Sequence, residues 1–291
     1  MKEIVVISGK GGTGKTSITS CFAALAKNSV FADCDVDAAD LHLILSPDIK
    51  EKNDFISGHL AEIDESKCTG CGKCFELCRF DAVKKVGDKF EIEESLCEGC
   101  GVCVHFCPEK AIDFPDRNCG KWFISDTRHG PMVHAKLGIG AENSGRLVSL
   151  VRKEAREIAV KRNSEYLIVD GPPGIGCPVI ASLTGSDAVV AVTEPTISGK
   201  HDFERVAKLA AHFGISLFVI VNKWDINPEM TEEIEKVAKG GGAKVLGRIR
   251  YDKKVTEAQI SGISVVETGD LNSEIVKEMI SIWENLTEKM R

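Results

Sequence analysis

EIVVISGKGGTGKT, residues 3–16, runs a short apolar stretch into a loop with four glycines. A continuous apolar run of this length is the mark of a parallel strand buried on both faces. Gly9 to Thr16 matches G-x4-G-K-[ST], and it stands after a strand and before a helix, the context that motif requires. The glycines let backbone N–H groups close on phosphates, and the helix start adds the positive end of its dipole. Lys15 is expected to reach the β- and γ-phosphates and Thr16 to bind Mg²⁺. Gly11, Gly12, Thr13, Gly14 and Ser17 complete the expected nucleotide cradle.

Working outward, residues 17–27 carry a helical pattern and Val30–Asp33 reads as a second short strand. After Leu45 the signal weakens into SPDIKEKND, and near Ala61 the chain becomes cysteine-rich. Regular alternation returns after about residue 118. KWFISDT (121–127) is a predicted strand, and SGRLVSLVRKEAREIAVKR (144–162) a long amphipathic helix capped by Asn143 or Ser144. YLIVD, DAVVAVT and SLFVIVN are three further strands; KVLGRIR and SVVE are weaker candidates. The last helix sets Ile275, Met279, Ile282 and Leu286 on one face and Glu274, Glu278, Glu284 and Glu288 elsewhere. A membrane-surface helix would carry Lys and Arg there, so core packing is expected.

Strands alternating with helices imply an α/β fold with a mostly parallel sheet. The expected organisation is a discontinuous P-loop NTPase domain, residues 1–60 and 118–291. A small α+β domain, residues 61–117, is inserted into it. No apolar run approaches the roughly 18 residues needed to span a bilayer. MKEIVVISGKGG reads as strand and loop, not as a secretory leader. The expectation is a cytoplasmic protein with no membrane partner.

The 291 residues include 12 cysteines and carry a formal charge of −7. Residues 61–117 hold 8 Lys+Arg against 13 Asp+Glu, 8 − 13 = −5, which argues against nucleic acid as a partner. An acidic surface suits docking on a basic protein, or is simply a solvated face. A disulfide framework belongs to small secreted domains and does not suit this chain.

Cys68, Cys71, Cys74 and Cys78 have the spacing C-x2-C-x2-C-x3-C; Cys97, Cys100, Cys103 and Cys107 repeat it 29 residues later, followed by Pro108. Ala82-Val83 recurs as Ala111-Ile112, so the repeat extends past the cysteines. This is the bacterial two-cluster ferredoxin pattern, in which the fourth cysteine of each run serves the other cluster. Cys68, Cys71, Cys74 and Cys107 are expected to hold one [4Fe–4S] cluster, and Cys97, Cys100, Cys103 and Cys78 the second. Zinc usually takes paired cysteines with a long spacer between the pairs. Arg79 departs from the pattern, where proline often follows the fourth cysteine.

Lys10 makes the loop resemble the deviant Walker A of the MinD/ParA/Mrp group of ATPases, which includes the nitrogenase iron protein. The resemblance implies that Lys10 reaches across a dimer interface to the partner's nucleotide. DCDVDAADLHL (33–43) is similar to that group's switch I, which implies that Asp35 orients the attacking water. YLIVDGPPGIG (166–176) is similar to Walker B running into switch II, with Asp170 on the Mg²⁺ shell. Asn222, with Lys223, stands where the group binds the base. Asn222-x-x-Asp225 is also a guanine-reading pattern, although the resemblance implies ATP. Cys177 has the offset from switch II of a cluster ligand in the nitrogenase iron protein. Its companion's place, in LGIGAENSG, holds Ala141, so Cys177 reads equally as a ligand or a buried small hydrophobe. Cys21 and Cys34 read as core, and Cys119 stays open.

The layout also resembles ferredoxin-containing MinD/Mrp-like proteins, often labelled by similarity to cobyrinic acid a,c-diamide synthase. That activity needs an amidotransferase domain for which this chain has no room. The resemblance implies an ATPase, acting as homodimer or as heterodimer with a paralogous ATPase. Its role would be nucleotide-gated assembly or carriage of iron–sulfur or other metal centres for an apo-metalloprotein. The alternative is ATP-gated electron transfer from the clusters to a redox partner. MinD-like positioning is disfavoured by the acidic last helix.

Overall fold

The computed structural model describes residues 1–138 and 144–291. β1 (Lys2–Ser8) leads into α1 (Lys15–Leu25), β2 (Ser29–Asp33), the short α2 (Leu41–Leu45) and β3 (Asp48–His59). The cysteine-rich block supplies β4 (Glu62–Ile63), α3 (Lys73–Leu77), β5 (Val83–Val86), β6 (Lys89–Ile92), α4 (Val102–Phe106) and β7 (Ile112–Asp113). β8 (Asp116–Thr127) and β9 (Gly130–Leu137) follow, joined through Arg128 and His129. Then come α5 (Ser144–Lys161), β10 (Tyr166–Pro173), α6 (Cys177–Leu183), β11 (Ala188–Thr193) and α7 (Ile197–His212). The chain closes with β12 (Ser216–Asn222), α8 (Pro228–Gly240), β13 (Lys244–Ile249), α9 (Lys253–Ile260) and α10 (Glu274–Lys289).

Nine strands form one sheet in the order β13-β12-β11-β1-β10-β2-β9-β8-β3. β1 pairs in parallel with both β10 and β11, and the parallel pairing continues outward to β13 on one side and β9 on the other. The apolar run therefore occupies the centre of the sheet, with Ile4, Val5, Val6 and Ile7 fully buried. On one face α10 lays down Ile275, Met279, Ile282 and Leu286, all buried as their spacing predicts. Trp283 joins them against Phe22 of α1, ring centroids 5.2 Å apart. Each such apolar side chain removed from water contributes about 1.5–3 kcal/mol.

Two compact units emerge. One comprises Met1–Lys52, Trp122–Lys136 and Ser144–Arg291; the other comprises Asn53–Lys121 with, among the described residues, 137–138. Within the second unit, β4 pairs antiparallel with β7 and β5 with β6. α3 and α4 lie 29 residues apart along the chain, so the sequence repeat is also a structural one.

Three segments differ from expectation. SPDIKEKND is strand from Asp48 onward, not a weak linker. Its alternating buried positions, Phe55 and Ser57 among exposed neighbours, begin only after a run of charge. SVVE is not a strand: Val265–Glu267 is a 3₁₀ turn closed by a capping box between Ser264 and Glu267. That reciprocal bonding outweighs the β-preference of two valines. β9, GPMVHAKL, is a strand that the sequence pattern did not reveal. Asn143 lies outside the described residues, and Ser144 is the first residue of α5.

Candidate functional site

The carboxyl ends of β1, β2, β10 and β12 bring together residues far apart in sequence, as open α/β sheets do at the point where strand order reverses. Gly14 precedes α1 with φ 88°, in the left-handed region. A Cβ there would lie 2.4 Å from Asn222 Nδ2. That amide donates to Thr13 O at 2.8 Å, fastening the loop to β12. No side chain caps α1, so its first N–H groups stay open to an anion. Thr13 Oγ1 is buried without a hydrogen-bond partner.

Beside the loop stand Asp33, Asp35 and Asp170, all buried, around one ammonium. Lys15 Nζ lies 2.9 Å from Asp170 Oδ1 and 3.3 Å from Asp35 Oδ2. Thr16 Oγ1 donates to Asp170 Oδ2 at 2.7 Å, and Thr19 Oγ1 to Asp170 Oδ1 at 2.9 Å. Asp33 accepts the backbone N–H of Asp35 (3.2 Å) and of Leu41 (3.3 Å), which holds the stretch between β2 and α2 in place.

The electrostatics are unbalanced. Burial drives the Asp33 carboxyl well up, and the neighbouring Asp170 adds to it. Burial also raises Asp35, against the opposing pull of Lys15. For Lys15 burial acts downward, but attraction to Asp170 and then Asp35 prevails and its pKa rises. Three carboxylates facing one ammonium suit an added cation. Among the described residues no group of three or more His, Cys, Asp or Glu converges on a metal ion. Mg²⁺ does not require one: it takes one or two protein oxygens and completes its shell with phosphate and water. Thr16 and Asp170 are the fitting pair.

A cavity of about 690 Å³ adjoins the loop, lined in part by Gly14, Ser17, Asn222, Tyr251, Asp252 and Gln259. Gln259 Nε2 donates to Ser17 Oγ at 2.8 Å. Asp225 Oδ1 already accepts the Tyr251 N–H at 2.7 Å. Lys223 lines the cavity, but its ammonium turns to Glu194 Oε1 at 2.5 Å. Lys10 Nζ is 3.4 Å from Glu194 Oε2 and 3.5 Å from Ser198 Oγ.

In the cysteine-rich unit, one cavity of about 350 Å³ is lined by Cys68, Cys71, Cys74 and Cys107, with Phe90, Pro108 and Ile112. A second, about 300 Å³, is lined by Cys78, Cys97, Cys100 and Cys103, with Phe80, Val83 and Ile92. The fourth cysteine of each run thus stands with the first three of the other. The N–H of Gly70 points to Cys68 Sγ at 3.4 Å and that of Ala111 to Cys107 Sγ at 3.3 Å. Burial raises the Cys74 thiol and pushes Cys103 up to about 11. A tetrahedral zinc would need four sulfurs about 2.3 Å from one point. Among the described residues no three cysteines converge in that way; the four thiols around each cavity are the donor set that an iron–sulfur cluster takes.

Of the remaining cysteines, Cys21 and Cys34 are buried as core. Cys119 is also buried, its Sγ 3.1 Å from Ser57 O. Cys177 is exposed at the start of α6, which removes the buried-hydrophobe reading. Ala141 lies outside the described residues. Sequence reasoning missed Asp33, Thr19, Glu194 and Gln259. Asp33 was signalled by its place two residues before Asp35; the others join through tertiary contacts alone.

Residues 4–265 match the model of the CobQ/CobB/MinD/ParA nucleotide binding domain. An uncharacterized protein of Methanocaldococcus jannaschii is 36% identical over 231 residues, 77% of this chain and 79% of that protein. The iron-sulfur cluster carrier protein of the same organism is 23% identical, over 96% of this chain and 82% of that one. Among solved structures, the septum site-determining protein MinD of Pyrococcus horikoshii OT3, complexed with Mg-ADP, superposes with a TM-score of 0.61. It has 17% identity and covers 99% of this chain and 96% of its own, so the two share a fold. No helix among the described residues is long and apolar enough to cross a membrane. With its phosphate loop at the centre of a mostly parallel sheet and the family match running almost end to end, the chain belongs to the CobQ/CobB/MinD/ParA family of nucleotide-binding proteins.

Proposed function

We propose that the chain is an ATP-hydrolysing iron–sulfur protein whose nucleotide state gates the assembly or delivery of metal centres to an apo-protein. One observation carries the reading: two cavities, each lined by four cysteines in the crossed pattern, occur in the same chain as a phosphate loop. Distant similarity to an iron-sulfur cluster carrier protein agrees with it. The inserted unit is then a ferredoxin-like domain, spanning about residues 61–117. Cys68, Cys71, Cys74 and Cys107 would hold one [4Fe–4S] cluster, and Cys97, Cys100, Cys103 and Cys78 the other; bound clusters supply one-electron redox chemistry.

At the nucleotide site, N–H groups of residues 11–16 take the phosphates. Lys15 exchanges Asp170 and Asp35 for the β- and γ-phosphates, releasing both carboxylates. Thr16 and Asp170 would hold Mg²⁺, and Asp35 would position the attacking water. Asn222 and the cavity beside it receive the base. Asp225 gives one oxygen, Oδ1, to the Tyr251 N–H, so it is less available for the two donors of a guanine, which supports adenine as the base. Lys10 leaves Glu194 to meet the nucleotide of a second subunit, a copy of this chain or a paralogue.

A second reading, electron transfer to a redox partner, is favoured by the full set of four cysteines around each cavity. Such a set leaves no protein ligand missing, which suits resident clusters better than cargo. The deciding experiment takes anaerobic protein through ATP hydrolysis with an apo-acceptor and counts iron on both proteins. Iron gained by the acceptor, dependent on hydrolysis, supports assembly. Reduction of the acceptor with all iron retained supports electron transfer. Neither, with hydrolysis intact, removes both.

A further inference from the structure

At the opposite end of the strands from the phosphate loop, Glu3 near the start of β1 is a buried carboxylate with two guanidiniums. Arg152 Nε bonds its Oε1, and Arg156 bonds its Oε2 through Nε (3.0 Å) and Nη2. One arginine would neutralise this acid; the second leaves a surplus positive charge. Arg152 is 8% exposed and its Nη1 donates to Ala181 O and Thr184 O, at 3.2 and 2.6 Å. Its Nη2 is buried and has no acceptor. Buried guanidinium donors are nearly always paired, so an orphan calls for an explanation.

Arg152 lines a cavity of about 660 Å³ together with Ser149, Lys153, Arg156, Ala181 and Thr184. Among the described residues no carboxylate lines it. Ser149 and Thr184 give their hydroxyl protons to Gly145 O and Ile180 O, which leaves the three cations as the donors available to a ligand. Lys153 pairs with Glu157, at 3.7 Å on an exposed face where such pairs are weak. β1 separates this cavity from the phosphate loop by its seven residues, about 20 Å.

We propose that this cavity is a second anion site, which takes a phosphate dianion, free or as the phosphate of a small metabolite. The arginine charge left over from Glu3, together with the Lys153 ammonium, matches a dianion better than a single carboxylate, and the planar fork of arginine suits phosphate oxygens. The site is independent of the proposed function.

The test uses the full chain saturated with Mg²⁺ and a non-hydrolysable ATP analogue, so that the phosphate loop is filled to the γ-position. Inorganic phosphate is titrated calorimetrically at constant ionic strength, with chloride and succinate as controls; glycerol 3-phosphate then distinguishes a metabolite phosphate from the free ion. One equivalent of phosphate is expected to bind, at least tenfold more weakly in Lys153→Glu and in Arg156→Gln. Lys153 is exposed on α5, so its variant folds even if Arg156→Gln does not. Absence of heat above the chloride control overturns the proposal, as do unchanged affinity in Lys153→Glu and succinate binding in place of phosphate.

Discussion

Lys10 Nζ lies 3.4 Å from Glu194 Oε2 of its own chain, while Lys223 holds the other oxygen of the same carboxylate. A lysine proposed to act across a dimer interface is therefore paired in cis. The Lys10 side chain is 36% exposed, and a pair in that setting contributes about 0.2–1 kcal/mol. It is easily exchanged for a phosphate.

Lys15 and Lys10 should then fail differently. Lys15→Ala removes the ammonium from the cradle and is expected to abolish nucleotide binding. Lys10→Ala should keep ADP affinity within about threefold, since the interaction it loses is on the scale of an exposed pair. It should lose hydrolysis and ATP-dependent dimerisation. Glu194→Gln should ease release of Lys10 and tighten that dimerisation by up to about fivefold. Equilibrium nucleotide binding with sedimentation of each variant reads all three. Equal loss of binding in both lysine variants would remove the trans role.

The two cysteine-lined cavities predict about eight irons per chain in protein kept from air. The crossed grouping sharpens this. Cys107→Ala should lose the cluster of Cys68, Cys71 and Cys74 and keep the other, although Cys107 follows Cys97, Cys100 and Cys103 in sequence. Iron analysis with paramagnetic resonance of the reduced protein checks both statements. Stoichiometric zinc would contradict the cluster reading outright.

His134 is a buried imidazole whose Nε2 lies 2.9 Å from Ser125 Oγ. Burial, then the charge of His42, lowers its pKa from 6.5 to about 4. The unfolded chain therefore takes up this proton at a higher pH than the folded one. The stability contributed by the neutral ring is complete above about pH 6.5 and is lost as pH falls toward 4. Between pH 7 and pH 5 the loss should be about 1–2 kcal/mol. Urea midpoints at both pH values should show that slope in the wild type and a flatter one in His134→Gln.

What the sequence revealed and what it hid divide along physical lines. The phosphate loop was legible because its chemistry is local: Gly14 must be left-handed, and Lys15 and Thr16 follow directly. The crossed grouping of the cysteines was legible because their C-x2-C-x2-C-x3-C spacing repeats, and the two cavities are lined accordingly. Glu194 and Gln259 were not, because each meets its partner through a fold contact with no local pattern. β3 and β9 were hidden for a different reason. β3 opens in exposed charge, DIKEKND, and β9 sets GPMV against HAK, so neither shows the steady apolar run of a central strand. SVVE misled because two valines promised a strand while the Ser264–Glu267 box bent them into a turn.

The last prediction concerns why a nucleotide-binding chain would carry a cysteine-rich insert after its second strand. Asp35 follows β2 and contacts Lys15; Asp33 accepts the N–H of Leu41, the first residue of α2. Only Ser46 and Pro47 separate α2 from β3, along which the chain enters the insert. Segments held by a γ-phosphate are released on hydrolysis, so nucleotide state is expected to act first on this stretch. ATP trapped by Asp35→Ala is expected to shift the reduction potential of the proposed clusters, whereas ADP is not. Linked sites typically couple by about 1–3 kcal/mol, which for a one-electron couple is roughly 40–130 mV. Linkage is reciprocal, so reducing the clusters must change ATP affinity by the same factor. Redox titration in the apo, ADP and trapped ATP states measures the first quantity, and ATP binding to oxidised and reduced protein the second. Identical potentials in all three states would make the clusters passive cargo, and the nucleotide switch would then act on another surface.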